Sequence, residues 1–268
     1  MTAAIYAKRS GLNAIILEKL GVGGQIMLTG EIENYPGFAR TTGAELAMAM
    51  YEQVEGLGVE TIYDEIQTFG QNIVTCIENE IAYKAMILCV GASPRKTGAE
   101  GEEELSGINV HYCAICDGAF YRDKDVVIIG GGNSAVEEAI YMRDIAKTVT
   151  IITDKFIAQQ ILMDQIKDIP YQTGKVKKMT KENVTLDNGT VIKCDGIFVS
   201  IGRIPNTEIF DLEKQNGYII TDEKMQTSAP GIYAAGDCIA KHVRQIITAC
   251  SDGAIAATHA GEYIRTLS

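Results

Sequence analysis

The run Val126-Val127-Ile128-Ile129-Gly130-Gly131-Gly132-Asn133-Ser134-Ala135 leaves this chain few folds to choose from. An unbroken β-branched stretch that stops at glycines reads as a strand buried on both faces. Behind it, Ser134 to Asp144 place apolar residues at Val136, Ile140 and Met142, a helical spacing. Glu137 and Glu138 are expected in the first turns of that helix, complementing its N-terminus. A second apolar run, Val149 to Ile152, follows. Buried strand, helix, buried strand is a βαβ unit, and it commits the chain to a parallel sheet.

The pattern extends beyond this unit. Ala14 to Leu17, Ala85 to Val90, Ile197 to Ile201 and Gly231 to Ala235 read as further strands, and Gly43 to Leu57 as an amphipathic helix. Met1 to Ser10 reads as helix interior. Val184 to Leu186, Asp187-Asn188-Gly189 and Val191 to Lys193 form a hairpin pattern with a tight turn. The class is therefore α/β, and 268 residues suffice for two modest domains. The acidic stretch Gly98 to Gly107 is the expected connection between them, and Glu223 to Pro230 the expected return.

In open parallel sheets, ligands bind at the carboxyl ends of strands, where glycines let backbone amides approach phosphates. Gly130 to Ala135 has that context, strand before and helix after. The loops at Val90-Gly91-Ala92-Ser93 and at Ile201-Gly202-Arg203-Ile204-Pro205-Asn206 are similar, though either alone reads as a plain turn. Ala234-Ala235-Gly236-Asp237 puts a carboxylate just past a strand, where it suits sugar or polyol hydroxyls or caps a helix.

Charge and cysteine usage exclude other classes. A net charge of −11 argues against nucleic acid, which needs a basic face. No run approaches the about 18 apolar residues that span a bilayer, and the N-terminus lacks the order of a signal peptide. Of the 7 cysteines, Cys76, Cys89, Cys194, Cys238 and Cys250 are scattered, unlike a secreted disulfide framework. The expected location is the cytoplasm.

The remaining cysteines form Cys113-Ala114-Ile115-Cys116-Asp117-Gly118. A CxxC pair sets two thiols within disulfide reach and depresses the pKa of one, creating a thiolate nucleophile. A structural zinc site would call for a second CxxC or paired histidines, and His111, His242 and His259 lack ligand spacing. Redox chemistry is the better reading. Asp117 beside the pair is either a proton relay to a leaving thiolate or a turn carboxylate.

At this point the chain resembles the low-molecular-weight thioredoxin reductases of the flavin-dependent pyridine nucleotide-disulfide oxidoreductase family. The resemblance runs in order through Thr2 to Ala7, Gly23-Gly24-Gln25, Glu31 to Gly37, Gly91-Ala92-Ser93, the cysteine motif and Gly130 to Ala139. It continues through Ile201 to Asn206, Thr227 to Asp237 and Arg244-Gln245. It implies two Rossmann-like nucleotide-binding domains, the second inserted into the first. The FAD-binding domain would comprise residues 1–105 and 224–268, and a pyridine-nucleotide-like domain, 106–223, would carry the CxxC. It implies FAD contacts at Gly24, Gln25, Asn34, Gly91, Gly236, Asp237, Arg244 and Gln245. Gly130, Gly132, Asn133, Ser134 and Ala135 would form the second nucleotide loop. By the same resemblance Cys116 takes electrons from the flavin, Cys113 attacks the substrate disulfide, and Asp117 is the acid-base partner. Thioredoxin or a similar small redox protein is the implied substrate, and a homodimer the implied assembly. Domain rotation during the cycle would flex the segments around Gly107 and Glu223.

Two departures qualify the likeness. The family places a strand and a Gly-x-Gly-x-x-Gly loop before its first helix, and this sequence starts within that helix. The expectation is an N-terminally truncated member whose FAD domain lacks its first strand. Second, NADPH-using members carry His-Arg-Arg and a further arginine where this chain reads Thr153-Asp154-Lys155-Phe156-Ile157-Ala158-Gln159-Gln160. An Asp there suits a ribose 2′-hydroxyl and repels a 2′-phosphate. The region from Asp154 to Lys178 also looks shortened. The donor is left open among NADPH, NADH and, as in the ferredoxin-dependent flavin thioredoxin reductases, reduced ferredoxin. A flavin oxidase or peroxide reductase subunit would need a further redox domain or another cysteine site. The alternative function is an inactive or regulatory flavoprotein fragment without its FAD pyrophosphate loop.

Overall fold

The computed structural model describes residues 1–29, 31–70 and 72–267. The chain forms two compact units, one from residues 1–28, 35–93 and the segment from Ile204 onward, the other from 29–34 and 94–203.

The first unit opens with α1 (Thr2–Arg9), β1 (Ile15–Glu18), α2 (Gly43–Gly56) and β2 (Glu60–Tyr63). Helix α2 starts at a capping box: Glu45 N–H donates to Thr42 Oγ1, and Thr42 N–H donates to the Glu45 carboxylate at 2.9 Å. The Thr42 backbone donor, with help from its hydroxyl, holds the Glu45 carboxyl below its usual range. Strand β1 pairs in parallel with β2, Ile15 opposite Glu60. An antiparallel trio follows, β3 (Ile66–Gly70), β4 (Ile73–Cys76) and β5 (Glu80–Ala82), then β6 (Met86–Leu88).

The second unit contains β7 (Val110–His111), α3 (Ala114–Asp117), β8 (Asp125–Ile129), α4 (Asn133–Arg143), β9 (Thr148–Thr153) and β10 (Tyr171–Thr173). Next come β11 (Val176–Met179), β12 (Asn183–Leu186), β13 (Val191–Lys193) and β14 (Gly196–Val199). Five strands form one parallel sheet in the order β7-β14-β8-β9-β10. Side-chain alternation splits its apolar residues between two cores. Val126, Ile128, Val149, Ile151 and Phe198 pack with Val136, Ala139 and Met142 of α4. Val127, Ile129, Ile152, Ile197 and Val199 pack with Met179, Val184 and Leu186 of the antiparallel β11-β12-β13 layer. Each buried Val, Leu, Ile, Phe or Met among them stabilises the fold by roughly 1.5–3 kcal/mol. The expected hairpin is present as β12 and β13, Val184 opposite Ile192.

Near the start of this unit Glu102, only 1% exposed, organises the chain ahead of β7. Its carboxylate accepts from Thr97 N, Thr97 Oγ1, Gly98 N and Tyr112 Oη. Four donors satisfy a charge that would otherwise be costly to bury.

The chain returns to the first unit with β15 (Ile232–Ala234) and α5 (Ile246–Thr266). Strand β15 pairs in parallel with β6, Ala234 opposite Leu88. Helix α5 lies on α1, and Gly253 makes the approach close: a Cβ there would stand 3.2 Å from Ala3 N. Among the described residues the parallel strands of this unit form two pairs, β1-β2 and β15-β6. Strand β1 is half-exposed despite its apolar sequence.

Asn133 is the first residue of α4, so Glu137 and Glu138 fall in its second turn, beyond the free N–H groups they were expected to complement.

Candidate redox site

Cys113 and Cys116 are joined as a disulfide across one helical turn, their Cα atoms 5.3 Å apart. Cys113 is the extended N-cap of α3, and its Sγ accepts the Cys116 N–H at 3.2 Å. The same N–H would stabilise a thiolate at Cys113 once the bond is reduced. Both cysteines are half-buried, Ala114 between them is fully buried, and Ile115 turns outward. Gly118 ends the turn where α3 meets α4; a Cβ there would run into Met142 Sδ and Tyr141. Glu31–Ile32 packs on the same turn.

Asp117, next to Cys116 in the chain, is buried. Its Oδ2 faces His111 Nδ1 at 3.4 Å, and His111 Nε2 lies 2.7 Å from the Tyr121 hydroxyl. Burial, and next the Asp117 charge, push the Tyr121 phenol up to about 12, so it keeps its proton. Metal-ligand spacing excludes His111 as a zinc ligand but is silent on a role beside Asp117.

A second carboxyl reaches this turn from α4. Among the described residues, Glu138 Oε2 is shut off from solvent and has no hydrogen-bond partner. Burial raises it to about 7, against the pull of the Ala114 N–H, the Arg203 charge and the Ser200 side chain. Its helical phase toward the core was the signal available in the sequence.

The Gly130 to Ala135 loop turns tightly from strand β8 into helix α4. Gly130 has φ +144°, and a Cβ there would collide with the Ser200 carbonyl and Ala135. Gly131 is equally crowded by Lys155 and Thr153, whereas a Cβ on Gly132 would meet nothing within 4 Å. Gly132 is also the N-cap of α4 with no side-chain cap, which leaves room at the helix N-terminus. Ala135 is buried against the strand, Ser134 is exposed, and Asn133 Oδ1 accepts Gln159 N–H at 2.9 Å. That bond, with Ile157 N and Ala158 N donating to Gly131 O, folds the chain after β9 onto the loop. Asp154 and Lys155 at the strand end are exposed.

The FAD candidates fall into groups. Gln25 donates to Ala92 O beside Gly91, which has φ +67°, and Gly24 lies at the start of a short turn with φ +52°. Gly236, at φ +80°, and Asp237 begin a 3-10 turn past β15, and Gly236 N–H donates to Asp252 of α5. Gln245 is the N-cap of α5. Arg244 stacks its guanidinium 4.2 Å from the Tyr218 ring, with Nε buried and unpartnered among the described residues. Left-handed glycines, a carboxylate past a strand and an orphaned buried guanidinium nitrogen suit a flavin dinucleotide. Asn34 is exposed and falls in the other compact unit, with the cysteines. Lys241 and Asp252, which hold the Gly236 turn, carried no sequence signal.

Comparison with known proteins agrees with this geometry. Residues 1–253 match the model of a family described as pyridine nucleotide-disulphide oxidoreductase. The chain is 41% identical to a thioredoxin reductase of Listeria innocua over 100% of its own length and 91% of the relative's. It is 38% identical to the thioredoxin reductase of Bacillus subtilis, over 100% and 92%. The crystal structure of thioredoxin reductase from Streptococcus pyogenes superposes with a TM-score of 0.90 at 40% identity, covering 99% of this chain and 94% of that one.

Proposed function

Because this chain belongs to the pyridine nucleotide-disulphide oxidoreductase family, we propose that it reduces the disulfide of thioredoxin or a similar small redox protein through Cys113 and Cys116. It is a flavin-dependent oxidoreductase of the thioredoxin reductase type, with FAD as cofactor. The observation that carries the reading is the Cys113–Cys116 disulfide on a turn whose backbone N–H already points at Cys113 Sγ.

Bound FAD, once reduced by the donor, would supply the electron pair that opens this disulfide. Two protons complete the dithiol. Cys113 passes its proton to Asp117 and attacks one sulfur of the substrate disulfide as a thiolate, and the other sulfur leaves with that proton. Cys116 attacks Cys113 Sγ in the mixed disulfide, expels the second substrate thiol and restores the resting bond. Gly24, Gln25, Asn34, Gly91, Gly236, Asp237, Arg244 and Gln245 are the residues proposed to hold FAD.

The donor belongs to the same proposal. One carboxylate and one ammonium at Asp154 and Lys155 replace a cluster of arginines, which speaks against a 2′-phosphate. The chain folded over Gly131 and Asn133 supports reduced ferredoxin. The open Gly132 and uncapped α4 support a second reading, NADH. An anaerobic flavin titration with reduced ferredoxin, NADH and NADPH separates them by which one bleaches the absorbance. Cys116→Ser tests the core of the proposal: flavin reduction should survive and substrate reduction should stop. Persisting turnover in that variant would sink it.

The domain limits, 1–105 with 224–268 and 106–223, are proposed as functional boundaries, whereas the compact bodies divide after Ser93 and Arg203. Sequencing the fragments of limited proteolysis decides between the two sets. A homodimer completes the proposal, and sedimentation velocity checks it.

A further inference from the structure

His111 has both ring nitrogens engaged in a pocket where one partner would satisfy a core imidazole. Its ring forms a triangle with those of Tyr121 and Phe198, centroids 5.3 and 5.5 Å away, and those two stand 5.4 Å from each other. Nε2 meets the Tyr121 hydroxyl at 2.7 Å, which accounts for the polarity of a buried histidine. Nδ1 nevertheless faces Asp117 Oδ2 at 3.4 Å, long for a hydrogen bond but within close electrostatic reach.

We propose that His111 is a positioning residue for Asp117: Nδ1–H holds Oδ2, the Tyr121 hydroxyl fixes the ring by donating to Nε2, and Oδ1 is left to carry a proton to sulfur. The inference rests on the acid-base role proposed for Asp117. A carboxylate at Nδ1 makes that nitrogen the donor, and Nε2 must then accept. Tyr121, which retains its proton, is suited to give that bond: its other acceptor, Ile108 O, is farther off at 3.5 Å against 2.7 Å to Nε2. Glu138 of α4 stands at Ala114, Lys124 lies 5.3 Å from the Tyr121 ring, and Cys194 and Asp195 approach Tyr121 from the start of β14.

The test reads sulfur chemistry directly and needs neither flavin nor donor. The protein is reduced with dithiothreitol, and alkylation of Cys113 by iodoacetamide is followed by peptide mass spectrometry from pH 5 to 10. Asp117→Asn, His111→Leu, His111→Asn and Tyr121→Phe are compared with the parent. His111→Leu should change the rate constant at pH 7 by about threefold or more, which is a half-unit displacement of the profile. His111→Asn, which keeps an N–H where Nδ1 stood, should restore the parent profile. Tyr121→Phe should displace it in the same direction as His111→Leu. If Asp117→Asn moves the profile and His111→Leu does not, the His111 proposal is wrong and the Asp117 reading stands. If neither moves it, the Asp117 reading itself fails and takes this inference with it. Should His111→Leu not fold, His111→Gln replaces it, with its N–H on the Tyr121 side and none at Asp117.

Discussion

Lys241 Nζ lies 2.6 Å from Asp252 Oδ2, and both side chains are almost enclosed. The same oxygen accepts the Gly236 N–H at 3.0 Å. Asp252, on α5, thus ties down both the turn past β15 and the cation beside it. Removing one partner of a buried pair leaves the other charge unpaired. Lys241→Met should therefore destabilise the protein by about 3 kcal/mol, and Asp252→Ala by at least as much. Urea unfolding followed by circular dichroism measures both. Asp252→Asn, which can still accept from Gly236 N, should fall between parent and Asp252→Ala.

Glu138 makes stability depend on pH. Its folded-state pKa, about 7, lies above the ordinary carboxyl value, so the folded protein binds this proton more tightly than the unfolded chain. The stabilisation is complete below the unfolded pKa and is lost as pH rises through the folded one. Between about pH 4.5 and 7 this group should cost roughly 2–3 kcal/mol, reduced somewhat by its residual exposure. Glu138→Gln should flatten that part of the curve. Equal slopes in parent and variant would show that Glu138 is ionised throughout.

Two glycines of the Gly130 to Ala135 loop should differ in how much stability a side chain costs. Gly130→Ala meets the Ser200 carbonyl at a φ that side chains rarely adopt, so a loss of more than about 2 kcal/mol is expected. Gly132→Ala meets nothing and should stay within about 0.5 kcal/mol of the parent. Thermal melts check both. Equal destabilisation would mean that Gly132 is packed rather than open.

Thiol reactivity should divide the cysteines. Burial pushes Cys194 and Cys238 up to about 12, so neither offers a thiolate near neutral pH. After mild reduction at pH 8, iodoacetamide should label Cys113 within minutes, while Cys194 and Cys238 label only on unfolding. Peptide mapping reads the outcome directly.

The sequence by itself determined whatever rests on local spacing. Val126 to Ile129 could only be a buried strand, the glycines after it only a turn, and Asn133 to Arg143 a helix with one face inward. The CxxC spacing alone put two sulfurs within bonding reach, and Asn188-Gly189 turned the hairpin. Periodicity says which face of an element is buried but not what it will meet there. Glu138 looked like a helix N-terminal charge until packing placed it against Ala114, and His111 looked idle until α3 folded Asp117 onto it. Asp252 reaches the Gly236 turn from 16 residues along the chain. Tertiary structure decided these pairings, because a buried charge takes its partner from whatever element the core brings alongside, and long-range packing sets that choice.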